Sequence, residues 1–297
     1  MRAAWGIAVL IFWAGAGLTT TRSQHAAPAS AEMMKLVETE RAFVERAQET
    51  NWRDAFLEYF ADGIKGFEGE DVKARLRSRP APPKELEFWW EPRFGDIAAS
   101  GELGWLTGPV RTRVPQANNG NPDFANYASV WRRQADGSYK VVQDVGVSTP
   151  EMPPFAPGFT RAPVVSRYAG PERGKTAKTS LLEADRALTS ALLRSPLEAY
   201  TASAAPFARL HRQRTMPIVG HDAIAQWAKA QPVWASGDPR LAETAESGDL
   251  GYTIGSYMQG AAGDRPAESG FYLRVWSRDA QGKWSVVLDV TQPKPPK

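Results

Sequence analysis

A chain of 297 residues is long enough for two domains of about 150 residues each, and its 42% hydrophobic and 23% charged content is that of a globular protein. Cysteine is absent, which excludes disulfides, thiolate metal sites, a cysteine nucleophile and a lipidated N-terminal cysteine. Lys+Arg 36 against Asp+Glu 33 leaves a net charge of +3, too balanced for a dedicated nucleic-acid binder; the basic runs Lys73–Arg79 and Arg209–Arg214 read as solvated faces.

Met1-Arg2 is followed by an apolar run to about Leu18 and then by small residues. A short positive start, an apolar centre too short to span a bilayer and an Ala29-Ser30-Ala31 cleavage pattern make 1–31 a secretory signal peptide. The mature chain is then expected to be periplasmic or secreted, without a membrane span.

Residues 32–147 form a first module. Met34, Val37, Phe43 and Val44 carry a helical apolar stripe, Ala55 to Phe60 a second short helix, and Glu70 to Arg77 a third. Strands follow over 87–91, 103–107, 127–133 and 139–145. Residues 148–178, with six prolines and three interspersed glycines, read as a linker.

Residues 179–292 repeat the pattern, and 293–297 are a tail. Leu181 to Leu193 form a helix, Leu197 to Ala204 another, and Phe207–His211 with Met216–Val219 a hairpin missing from the first module. The repeat is explicit at the end of each module. Tyr127–Val145 aligns without a gap on Tyr272–Val290 at an offset of 145 (272 − 127), with ten of nineteen residues identical. Ser100-Gly101-Glu-Leu103-Gly104 matches Ser247-Gly248-Asp-Leu250-Gly251 at an offset of 147, so the extra residues fall in loops.

Asp136-Gly137 reads as a two-residue hairpin turn. That register puts Asp144 opposite Ser129 and Val142 opposite Trp131. In the second module Asp289 lies opposite Arg274 and Val287 opposite Trp276. The face with Leu273, Val275, Trp284, Val286, Leu288 and Val290 is expected to be the core side. The mixed face, with Tyr272, Arg274, Trp276 and Asp289, is expected at an interface, a rim or solvent.

Together, the helix pair, the sheet ending in Tyr-x-x-Val-Trp-x-Arg…Val-Val-x-Asp-Val, Gly220-His-Asp-Ala-Ile224 and Ser247-Gly-Asp-Leu-Gly-Tyr252 resemble the DUF4440 and SnoaL-like branch of the NTF2-like (cystatin-like) superfamily. The resemblance implies an α+β fold of two tandem cone-shaped modules, each a curved antiparallel sheet wrapped on helices around a cavity. It also implies sheet-to-sheet pairing of the copies as an internal pseudo-dimer, with Trp131 and Trp276 near the interface. Relatives include steroid isomerases, polyketide cyclases, dehydratases and binding proteins, and fold alone does not choose among them. The isomerase-type members carry an aspartate base in an early strand, where this chain reads Ala208-Arg-Leu-His211-Arg212. The first module departs from the family pattern around Gly63–Gly69, so the intact cavity is expected in the second.

Three ionisable groups are candidates for acid–base chemistry: His211, Asp289 and Asp144. Trp227, Trp234, Trp89 and Trp90, with Tyr272 and Trp276, are candidates for contact with a ligand in an apolar pocket. No metal-ligand spacing, nucleophile elbow or phosphate-binding glycine loop occurs, so no cofactor is implied. The function expected is binding of a small apolar or amphipathic molecule. The alternatives are a lyase, isomerase or cyclase working in the second module, and a non-enzymatic interaction module.

Overall fold

The computed structural model describes residues 30–115, 118–163, 166–261 and 266–294. All but the last two residues of the expected signal segment lie outside these. Among the described residues, no helix is long and apolar enough to cross a membrane.

The first module begins with α1 (Ala31–Glu49), α2 (Trp52–Tyr59) and α3 (Val72–Ser78). Each starts on a side-chain cap: Ser30, Asn51 and Asp71 accept a backbone N–H three residues on, which satisfies a donor the helix cannot. The sheet holds β1 (Glu87–Trp90), β2 (Phe94–Ile97), β3 (Leu103–Arg113), β4 (Asp123–Arg133), β5 (Tyr139–Thr149) and β6 (Thr160–Arg161). Its order is β5-β4-β3-β2-β6, with β1 also on β3; all pairs are antiparallel except β2–β6. β6 comes from within the proline-rich segment expected to be a linker.

The second module has α4 (Gly174–Leu192), α5 (Pro196–Ser203), β7 (Ala204–Arg212), β8 (Ile218–Val219), α6 (His221–Ala228), β9 (Trp234–Thr244), β10 (Leu250–Gln259), β11 (Glu268–Arg278) and β12 (Trp284–Pro293). The sheet order is β8-β7-β12-β11-β10-β9, with β7 parallel to β12 and the rest antiparallel. The β7–β8 hairpin has only a trace in the first module, the isolated parallel bridge Phe60↔Val141 and the antiparallel bridge Lys65↔Asp71. The fold class is therefore the α+β one expected, two successive modules with a bent sheet against helices.

The bend has a local cause that also corrects the expected register. Arg133 pairs with Tyr139, so the hairpin loop is longer than two residues, and Gly137 takes φ 83° within it. A β-bulge follows between Val130 and Trp131, so Trp131 faces Val141 and not Val142. The two errors cancel beyond the bulge, where Asp144 does face Ser129. The second module repeats this: Trp276 faces Val286, and Asp289 faces Arg274.

Both faces of the central strands β10, β11 and β12 are buried, which changes the expected assignment. The mixed face with Tyr272, Arg274, Trp276 and Asp289 turns toward the helices and is fully buried. The apolar face with Leu273, Val275, Leu288 and Val290 belongs to a cluster that also holds Phe94, Trp105, Ala128, Val130, Val145 and Val147 of the first module. These residues meet between the sheets, where β5 contacts β12 and β7, and β3 contacts β10. Trp131 and Trp276 are on the helix sides, not at this junction: Trp131 Nε1 donates to Glu40 and Trp276 Nε1 to Thr253 Oγ1 at 2.9 Å.

The contacts across the junction are reciprocal. Ser100 N donates to Ser247 Oγ at 3.2 Å, Ser247 N donates to Ser100 Oγ at 3.1 Å, and the hydroxyls are 2.7 Å apart. Ala99 N donates to Asp249 Oδ2 at 3.1 Å, and its counterpart Glu246 N to Glu102 Oε1 at 2.6 Å. Gly101 and Gly248 hold the matching turns at φ 74° and 72°, a region that favours glycine. Arg167, from the connecting segment, bridges Asp96 and Asp249.

Candidate functional site

The helix side of each module carries two carboxyl groups at matching places. In the first module they are Glu40 on α1 and Asp144 on β5; in the second, Asp185 on α4 and Asp289 on β12. Both pairs correspond at the offset of 145.

In the second module the carboxylates are neutralised. Arg274 reaches Asp185 through Nη1 and Asp289 through Nε at 3.2 Å, and its Nη1 also donates to Thr189 Oγ1 at 3.0 Å. Tyr272 OH donates to Asp185 Oδ2 at 2.9 Å and Tyr200 OH to Asp289 Oδ2 at 3.0 Å. Arg212 Nη1 lies 3.1 Å from Asp289 Oδ1. Burial alone would raise the Asp289 pKa, but Arg212, Arg274 and the Tyr200 hydroxyl hold it below the ordinary carboxylate value. Asp289 is thus an ion-paired anion, the opposite of a group poised to exchange protons near neutrality.

A cavity of about 540 Å³ opens above this cluster, lined by Tyr200, Arg212, Trp227, Trp234, Tyr257, Glu268 and Thr291 among others. Trp227 and Trp234 face into it, whereas Asp289, Tyr272 and Trp276 are not part of its wall. His211 is displaced further. It pairs with Val290 on β12 and so points, with Arg209, to the inter-module face. Both ring nitrogens are buried without a hydrogen-bond partner, and burial, with Arg209 and Arg212 nearby, pushes its pKa down to about 3. It is a neutral ring packed away from Asp289. The basic run is likewise not a solvated face: Arg209 stacks 4.4 Å from the Phe94 ring and 4.9 Å from Phe155, and Arg212 is buried on Asp289.

In the first module Ser129 stands where Arg274 stands in the second. Counted from the helix caps Asn51 and Ser195, Phe56 stands in place of Tyr200 and has no hydroxyl. Glu40 Oε1 accepts from Trp90 Nε1 at 2.7 Å, and Oε2 from Ser129 Oγ at 2.9 Å and Trp131 Nε1 at 2.8 Å. Among the described residues no cation compensates it, and burial pushes its pKa up to about 7 against the pull of these three donors. Asp144 has no hydrogen-bond or ion-pair partner among the described residues. Its apolar surroundings, and then the charge of Glu40, push it up to about 8.

Asp144 lines an open pocket of about 450 Å³. Its other walls are Phe43, Trp52, Phe56, Leu86, Phe88, Trp90, Val110, Thr112, Ala125, Tyr127, Gly146 and Ser148. Asp144 is the only carboxyl in that wall. Tyr127 OH is buried without a partner, and burial raises its pKa well above the phenol value, so it stays a hydrogen-bond donor. Trp90 lines the pocket, and Trp89, next in the strand, does not. The sequence pattern pointed to the second module for an intact cavity; the first module carries an open pocket as well, walled by residues of α1, α2 and β1 among others.

Solved structures are similar to parts of this chain. A ketosteroid isomerase-like protein from Erwinia carotovora atroseptica is 16% identical, with a TM-score of 0.37 over 41% of this chain and 100% of its own. A domain of unknown function with a cystatin-like fold from Nostoc punctiforme is 14% identical, with a TM-score of 0.35 over 41% of this chain and 80% of its own. An NTF2-like protein from Cytophaga hutchinsonii is 14% identical, with a TM-score of 0.33 over 39% and 97%. No protein-family model and no curated protein matches the sequence.

Glu40 and Asp185 were not singled out in the sequence. A signal for them exists: each is an acid on the apolar stripe of its helix, Glu40 between Leu36 and Phe43, and Asp185 between Leu181 and Leu188. An acid at a core position of an amphipathic helix must find donors or a cation. Among the described residues, no group of three or more His, Asp or Glu side chains is placed to hold a metal.

Proposed function

We propose that the chain is an exported tandem of DUF4440/SnoaL-like modules whose first module binds a small apolar molecule bearing a carbonyl or similar acceptor. The observation that carries this is the aromatic pocket of about 450 Å³ with Asp144, Tyr127 and nothing cationic in its wall. A carboxyl kept neutral by an apolar site donates a hydrogen bond, and the Tyr127 hydroxyl supplies a second donor. Aromatic rings enclose the body of the ligand, and the two donors hold its carbonyl or similar acceptor. The second module acts as its partner in an internal pseudo-dimer, a reading supported by the reciprocal Ser100–Ser247 bonds.

A neutral, carbonyl-containing solvatochromic dye such as Nile Red tests the site. One equivalent should bind with a blue shift, and Ala125→Trp, which fills the pocket, should abolish it. Unchanged binding in Ala125→Trp would place the ligand elsewhere and end this reading.

One observation favours a second reading, acid–base catalysis on an enolisable carbonyl compound: Asp144 and Glu40 titrate near neutrality, at about 8 and about 7. Solvent deuterium should then enter the α-carbon of a bound cyclic ketone, and Asp144→Asn should stop it. No exchange by the native protein between pH 7 and 9 would leave binding alone.

A further inference from the structure

The pocket of the first module does not end at its own wall. Gly146 and Ser148 line it and also line a groove of about 890 Å³ between the modules. That groove continues along Gln213, Arg214, Gln292 and Lys294. At Gly146 an added Cβ would meet only Asn126 O at 3.8 Å, ordinary van der Waals distance, and the Gln292 amide reaches the Gly146 carbonyl at 3.4 Å. An apolar compartment in one module therefore adjoins a polar trough at its border with the other, with Gly146 and Ser148 in both walls.

Arg214 stands at that opening. Its backbone N–H donates to Ser148 O at 2.8 Å, and Gln213 Oε1 accepts from Ser148 N at 3.1 Å, so the second module grips the strand edge that forms the pocket mouth. Arg214 takes φ 57°, a left-handed conformation that costs a non-glycine residue about 1 kcal/mol or more. Its guanidinium has no ion-pair or hydrogen-bond partner among the described residues. Lys294, the other cation of the groove, is held by Glu68 at 2.6 Å and lies over the Phe271 ring at 4.6 Å. Glu268, the acid of the groove, accepts from Tyr257 OH. Arg214 is the charge in the trough left free for a ligand.

We infer that the ligand of the first-module pocket is an elongated amphiphile with an anionic head: the apolar body lies among the rings, and the carboxylate, sulfate or phosphate emerges past Gly146 onto Arg214. This rests on the pocket reading above and adds the charge and the length of what is bound. Asp144, neutral below about pH 8, does not repel such an anion as it passes.

Fluorescence titration at pH 7 with 11-(dansylamino)undecanoic acid and with its carboxamide tests this. The acid should bind about tenfold more tightly than the amide, the effect of one charge-assisted contact. Arg214→Gln should bring the ratio close to one, and Arg214→Lys should preserve it. Amide binding reports that each variant is folded. Equal affinities in the native protein, or an acid preference that survives Arg214→Gln, overturns the inference and leaves the pocket reading standing. If neither probe binds, both fall.

Discussion

The two modules place a pair of carboxyl groups at corresponding points and differ in the residue between them. With Arg274 there, Asp185 and Asp289 become a locked ionic core joined by two tyrosines, and the cavity above is walled off from both acids. With Ser129 there, Glu40 and Asp144 lack a counter-charge, their pKa values rise toward and above neutrality, and one of them opens into an aromatic pocket. The same backbone thus serves as a rigid half and a reactive half. The choice turns on whether the desolvation of a carboxyl is offset by an arginine or by a proton.

The largest test removes the lock. Arg274→Ser turns the second module into the arrangement of the first while leaving two buried acids and Arg212. It should cost about 3–5 kcal/mol, measured by urea denaturation; a loss below about 1 kcal/mol would mean the ion pairs do not distinguish the modules. Next is Glu40→Leu, which strands the indole N–H of Trp90, leaves the Trp131 N–H only the Ser129 oxygen and takes the acceptor from the Ser129 hydroxyl. A loss of about 2–3 kcal/mol is expected, against under 1 kcal/mol for Asp144→Asn, which breaks no bond.

A third test uses pH, because the modules should respond with opposite sign. Glu40 and Asp144 have folded pKa values near 7 and 8 against ordinary values of 4.5 and 3.8. The folded state binds more protons in that interval, so the first module loses stability as pH rises from about 4 to about 8. Asp289, with its pKa lowered from 3.8, contributes stability above about pH 4 that is lost as pH falls further. Amide hydrogen exchange resolved by module at several pH values should show the two trends crossing. Parallel trends would sink the contrast, and Glu40→Gln with Asp144→Asn should flatten the first. The smallest effects belong to the seam. Ser100→Ala should cost about 1 kcal/mol, Ser247→Ala somewhat more because its hydroxyl also donates to Asp249, and the two should couple strongly in a double-mutant cycle; additive costs would mean the seam bonds do not act as a unit.

Much of this contrast was legible in the sequence. The offset of 145 joined Asp144 to Asp289, and Ser129 to Arg274, before any coordinates. The direction the faces pointed was not legible. Val142 and Val287 are extra residues at bulges, and a period-two reading carried across a bulge exchanges the two faces. The apolar strand face also looked like a core against helices, because an interface between two copies of a sheet has the same composition. His211 was named as an acid–base candidate from its strand alone; its pairing with Val290 turns it to the inter-module face. The departure from the family pattern near Gly63 turned attention to the second module's cavity. The first module's pocket is built by Phe43, Phe56 and Trp90, outside that segment.

The paired serines at the seam have one more consequence. In a dimer of identical chains, an arginine at one such site is an arginine at both, so neither half could keep its acids protonatable while the other locked them. A covalent tether removes that obligation. Two halves that still clasp each other like twins at Ser100 and Ser247 are free to be unlike everywhere else, and one can carry the burden of rigidity so that the other need not.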